Sequence, residues 1–91
     1  SKIMNQFIGS KELVYHIIGN PHDIGGYEVC GVAVDGGLLC PHCIEKECNN
    51  IIDSIEKDIN DQWKIVNYCS EAELEYVYCD HCHKPLGYHD D

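Results

Sequence analysis

The chain contains no arginine, and its six lysines face 16 aspartates and glutamates, a formal charge of -10 over 91 residues. Missing arginine removes the usual bidentate readers of phosphate and of guanine. Few lysines remain to release counterions from a phosphate backbone. Nucleic acid is therefore disfavoured as a partner; a chain that bound it would have to use Lys46, Lys57, Lys64 or Lys84. No run approaches the ~18 consecutive apolar residues of a membrane span, so no membrane role is expected. A secretory hydrophobic segment near Ser1 is lacking as well, as are a Walker-type phosphate loop and a Rossmann glycine pattern.

Cysteine, in contrast, is abundant, with seven residues. An odd number fits a disulfide framework poorly, and Cys-x-x-Cys pairs read as metal ligands in reducing compartments. The expected location is intracellular and cytoplasmic. Two such pairs, Cys40-Pro41-His42-Cys43 and Cys79-Asp80-His81-Cys82, are separated by 35 residues. A two-residue spacer bends the backbone into a knuckle that aims both sulfurs at one ion, so Cys40, Cys43, Cys79 and Cys82 form a four-thiolate ligand set for one Zn2+ per chain. Four thiolates and one zinc would take the formal charge to about -12. Iron held as in rubredoxin-like proteins and dithiol redox chemistry are the competing uses of the same residues. At 10.3 kDa and 44% hydrophobic composition, the chain makes one small domain, a size at which a metal commonly supplements the core.

The pattern along the chain implies an α+β fold. Leu13, Val14, Ile17 and Ile18 suit a helix face, while Leu13, Tyr15 and Ile17 alternate with Val14, His16 and Ile18 as in a buried strand; the strand is favoured, so residues 1–26 read as an N-terminal strand and a loop through Asn20-Pro21 and Gly25-Gly26. Tyr27 to Val34 is strand-like, and Asp35-Gly36 makes it the first arm of a hairpin that delivers Cys40 to the metal. Apolar residues at Ile44, Cys48, Ile51, Ile52, Ile55 and Ile59 lie on one face of an amphipathic helix, expected from about Ile44 to about Asp61. Trp63 to Tyr68 continues that helix or opens a strand. Ser70-Glu71-Ala72-Glu73 matches a capping box. Leu74, Tyr76 and Tyr78 then alternate into the second knuckle, which closes a core spanning 27–88, and 89–91 read as a frayed tail.

This order, hairpin, Leu38-Leu39-Cys40-Pro41-His42-Cys43-Ile44, helix, then Tyr78-Cys79-Asp80-His81-Cys82-His83-Lys84-Pro85-Leu86-Gly87, resembles zinc-ribbon and treble-clef-like small zinc-binding proteins. Many of these are encoded by phages and environmental microbes. The resemblance covers roughly Tyr27 to Tyr88 and implies metal binding and architecture rather than an activity. Two departures stand out. His83 occupies the place that the pattern often gives to glycine, and the helix follows the first ligand pair, where the common treble clef has it carry the second; a permuted arrangement fits equally.

The other polar residues have plain roles. Cys30, Cys48 and Cys69 could join histidines in a second metal site, but they sit in apolar surroundings and read as buried thiols. His42 and His81 are knuckle spacers, and a full thiolate set leaves His83 no vacancy. His16 and His22, beside Asp23 or Glu28, lack a nucleophile in a recognisable motif. No His-x-Glu precedes the first Cys pair, as deaminase-type zinc chemistry requires. Tyr76, Tyr78, Tyr88 and Trp63 could stack bases, but Glu73, Glu75, Asp80, Asp90 and Asp91 oppose it. They fit a protein-contact surface better. The expectation is a non-enzymatic, acidic protein-interaction module, of the phage-accessory kind, acting on a host protein. One special form would mimic the charge of DNA. The alternatives are the nucleic-acid ribbon and a metal-dependent redox or catalytic protein. A homodimer is compatible with the sequence.

Overall fold

The computed structural model describes residues 11–90. In chain order the elements are helix α1 (Lys11–Gly19), strands β1 (Val29–Ala33) and β2 (Leu38–Leu39), helices α2 (Pro41–Lys46) and α3 (Cys48–Glu56), strand β3 (Ile65–Ser70), a 3-10 turn (Glu71–Glu73), and strands β4 (Val77–Tyr78) and β5 (Pro85–Leu86). The chain is α+β, with a three-stranded antiparallel sheet in the order β2-β1-β3 and a separate β4-β5 hairpin.

Residues 11–19 form a helix, not the strand that their alternation implied. Leu13, Val14 and Ile17 are fully buried, a spacing that one helical face satisfies and one strand face does not. The helix ends at Asn20, whose backbone N–H and side-chain amide both donate to the His16 carbonyl. Pro21 follows, and the residue before a proline disfavours helix.

The β1–β2 hairpin forms where Asp35-Gly36 placed it. Asp35 Oδ1 accepts from Gly37 N at 2.9 Å, and Gly31 pairs with Leu39. β1 also pairs with β3, Cys30 opposite Cys69, with an irregularity between Val32 and Ala33. Residues 65–70 thus open a strand rather than extend a helix. Gly31 is where α2 meets the sheet: a Cβ there would lie 2.9 Å from the δ-carbons of both Ile44 and Ile65.

The single helix expected over Ile44–Asp61 is two. α2 starts earlier, with Pro41 at its first turn, and Glu47 (φ -104°, ψ 23°) breaks it from α3. α3 stops at Glu56 in a Schellman motif. Asp58 takes φ +54°, its N–H bonds to the Ile55 carbonyl, and the Ile59 N–H bonds to the Ser54 carbonyl. Leu13, Ile17, Leu39, Ile44, Ile51, Ile65 and Leu86 make the centre of the core, joined by Cys40, Cys43 and Cys79. The cysteine cluster is therefore continuous with the apolar interior.

Candidate metal centre

The first cysteine pair is set by a helix start. Cys40 precedes α2 in extended conformation (φ -71°, ψ 157°), and Cys43 lies in the first turn, where Ile44 N donates to the Cys40 carbonyl at 3.0 Å. The second pair is set by the β4–β5 hairpin, in which Val77 pairs with Leu86 and Tyr78 with Pro85. Inside that loop Cys79 N donates to the Lys84 carbonyl and His83 N to the Cys79 carbonyl, each at 2.9 Å. Asp80 N reaches across to the Leu38 carbonyl at 2.8 Å, fastening this knuckle to the strand that leads into Cys40.

The four sulfurs converge, all within 4.8 Å of one another. Cys40 Sγ lies 3.9 Å from Cys82 Sγ, and Cys79 Sγ lies 3.8 Å from Cys43 Sγ. A tetrahedron with metal–sulfur bonds of about 2.3 Å has edges of about 3.8 Å, whereas a disulfide would bring two sulfurs to about 2.05 Å. The spacing therefore suits one metal ion. Cys40, Cys43 and Cys79 are buried and Cys82 is exposed, which closes the site on its core side.

Electrostatics divide the set. Burial, followed by the neighbouring cysteine side chains, pushes the Cys43 thiol up. Cys79 is buried too, but backbone N–H groups of Cys82, Cys40 and His81 aimed at its sulfur outweigh desolvation and hold it at about 7. The Cys40 N–H makes its contact at 3.4 Å. Amides aimed at a sulfur favour thiolate, the form that binds a metal. Soft thiolate sets suit zinc or iron rather than magnesium or calcium.

Among the described residues, no other group of cysteine, histidine or carboxylate side chains gathers in this way. Cys30 and Cys69 face each other across β1 and β3; burial, then Glu71 and Glu28, pushes Cys30 up to about 12, and burial with Glu73 raises Cys69. Both are held as thiols. Cys48 is half-buried at the start of α3. His42 is exposed, while His81 sits 3.4 Å from a Glu47 carboxylate oxygen and edge-on to Trp63.

His83 takes φ +65°. It adopts the left-handed conformation that glycine would supply at this position, so the knuckle keeps its shape without the glycine. For a residue with a Cβ that conformation costs roughly 1 kcal/mol. His83→Gly should accordingly raise stability by a few tenths to about 1 kcal/mol, measured by denaturant unfolding of the metal-loaded protein; a loss above about 1 kcal/mol would show that the imidazole makes a stabilising contact.

The residues read as a tail are tied down in part. His89 Nε2 lies 2.9 Å from the Val77 carbonyl, and Asp90 accepts from the hydroxyls of Tyr76 (2.8 Å) and Tyr88 (2.7 Å). Those bonds raise both tyrosines and lower Asp90. Asp91 lies outside the described residues. Sequence reasoning missed this cluster because the Asp90 link spans 14 residues to Tyr76. Among the described residues no helix is long and apolar enough to cross a membrane. Comparison with protein-family models, with curated proteins and with solved structures finds no match, so the four-cysteine cluster and its surroundings carry the functional argument alone.

Proposed function

We propose that this chain is a zinc-stabilised, acidic protein-interaction module rather than an enzyme. Zinc is the metal assigned to Cys40, Cys43, Cys79 and Cys82: a complete thiolate set leaves no open coordination position for substrate, so the ion serves to staple α2 to the β4–β5 hairpin. The observation that carries the interaction reading is the tyrosine surface beside this staple. Tyr27, Tyr76, Tyr78 and Tyr88 are each 52–59% exposed, and the rings of Tyr76 and Tyr88 meet edge-to-face at 5.8 Å. Exposed tyrosines ringed by Glu71, Glu73, Glu75 and Asp90 suit an interface with a basic partner.

The lysines argue against nucleic acid. Lys57, Lys64 and Lys84, three of the four that a nucleic-acid ribbon would use, are paired with Asp53, Asp58 and Glu28. Elemental analysis of natively purified protein should return one zinc per chain; iron, or no metal in a folded chain, would overturn the staple. At low salt, hexalysine should bind with an affinity that falls as salt rises, and a labelled single-stranded oligonucleotide should not bind. The opposite pair of results would replace this reading with the nucleic-acid ribbon.

A further inference from the structure

The tyrosine surface contains a defined cleft. Tyr27, Glu71, Ala72, Leu74, Gly87 and Tyr88 line a hollow of about 270 Å³, below the roughly 300–1,000 Å³ of small-molecule sites. That volume suits one side chain rather than a whole metabolite. Three separate segments build its walls. The loop before β1 supplies Tyr27, whose N–H donates to Asp23 Oδ1 at 3.0 Å and whose ring lies over Gly25. Ser70 caps the 3-10 turn by accepting from Ala72 N and donates its own hydroxyl to Asp23 Oδ2 at 2.5 Å, joining that loop to the turn. The chain after β5 supplies Gly87 and Tyr88, held by Tyr88 N donating to the Leu74 carbonyl and Tyr76 N donating to the Tyr88 carbonyl, each at 2.9 Å.

Tyr76 takes φ +58°, a conformation that costs a bulky residue energy and persists only where its surroundings enforce it. Its hydroxyl shares Asp90 with that of Tyr88, so one carboxylate fixes both rings. Charge then selects the occupant. Lys84 feels the field of Glu71 but gives its ammonium to Glu28 at 2.8 Å, which leaves the Glu71 carboxylate without a salt bridge among the described residues. Two tyrosine rings and a carboxylate in one small hollow match a cation: ring faces attract it through their quadrupole and the carboxylate through its charge.

We infer that this cleft receives one lysine or arginine side chain from an extended basic segment of a partner protein, a proposal that rests on the interaction-module reading and specifies its partner. Residues flanking that side chain meet Glu73, Glu75 and Asp90. The occupant is polypeptide rather than a free quaternary ammonium, because the acidic residues extend past the cleft and reward more than one positive charge.

The test is an amide-shift titration of the zinc-loaded, isotope-labelled chain with the capped peptide Gly-Gly-Arg-Gly-Gly, its Lys and Glu counterparts, hexalysine and tetramethylammonium. The Arg and Lys peptides should shift the amides of Tyr27, Ala72, Gly87 and Tyr88, and the Glu peptide should not. Glu71→Gln and Tyr27→Ala should each weaken binding roughly three- to thirty-fold, with zinc content and amide dispersion unchanged. Hexalysine binding whose shifts fall elsewhere, on α3 for example, would overturn the cleft and leave the acidic module standing. No binding of any cationic peptide would overturn both. Tetramethylammonium matching the Arg peptide in affinity and in shifts would overturn the polypeptide occupant.

Discussion

Cys79→Ser should leave the chain without zinc and largely unfolded at 25 °C. Cys79 is fully buried, its sulfur lies 3.8 Å from that of Cys43, and it accepts the Cys40 N–H. Serine offers no thiolate, so the remaining ligands would hold metal weakly, and Cys40 and Cys43 would stay buried beside a vacancy. Binding of a structural zinc contributes about 10–16 kcal/mol in small zinc-folded peptides, while a core of this size alone contributes roughly 3–5 kcal/mol. Losing most of the first term exceeds all of the second. Cys48→Ser is the matched control, since Cys48 is half-buried and outside the cluster; it should bind one zinc and melt within a few degrees of the parent. Circular dichroism with elemental analysis decides the outcome. A folded, zinc-free Cys79→Ser protein with the parent melting temperature would refute the metal-coupled fold, and a strong chelator should reproduce the unfolding in the parent.

What could be read in the sequence, and what could not, follows from how local each signal is. The two Cys-x-x-Cys spacings and Asp35-Gly36 encode tight turns within four residues, and both knuckles and the β1–β2 hairpin form where they stand. Ser70 caps a 3-10 turn, but by accepting from Ala72 N rather than through the reciprocal box that the Ser-x-x-Glu spacing implied, since the Glu73 carboxylate meets Cys69 Sγ instead. Residues 11–19 misled because a short apolar run fits strand and helix alike; packing against α2, α3 and β1 decides it. The break at Glu47 was invisible because apolar periodicity runs straight across it. α2 is oriented by Cys40 at its N-cap and Cys43 in its first turn, and α3 by Ile51 against the core, so one apolar face serves two axes. Asp58 ends α3 in a glycine-like conformation that aspartate adopts only by context. The tyrosine cleft lay beyond sequence reading altogether, because Tyr27 is brought to Tyr88 by the Ser70–Asp23 bond, which spans 47 residues.

Gly87→Ala should be the most damaging single-methyl change outside the cysteines. Gly87 has φ +73°, and a Cβ there would stand 2.1 Å from the Leu74 carbonyl oxygen and 2.5 Å from its carbonyl carbon. That oxygen already accepts the Tyr88 N–H, so it cannot retreat without breaking the contact that holds the chain after β5 against residues 74–76. Backbone lacks the freedom by which a flexible side chain would swing away. Gly36→Ala isolates the conformational part: Gly36 has φ +90° and open space where its Cβ would stand, so it should lose only the roughly 1–2 kcal/mol of a left-handed residue. Gly87→Ala should lose at least about 3 kcal/mol, a fall in melting temperature of roughly 10–25 °C. Its knuckle residues 79–84 are closed by their own backbone bonds and by Asp80 to Leu38, so zinc should remain at one per chain. Binding of the Arg peptide should disappear because the wall formed by Gly87 and Tyr88 has moved. Equal stability losses for the two glycine variants would show that the Leu74 contact relaxes freely. Loss of zinc along with stability would show that the cleft and the four-cysteine centre fold as one unit rather than independently.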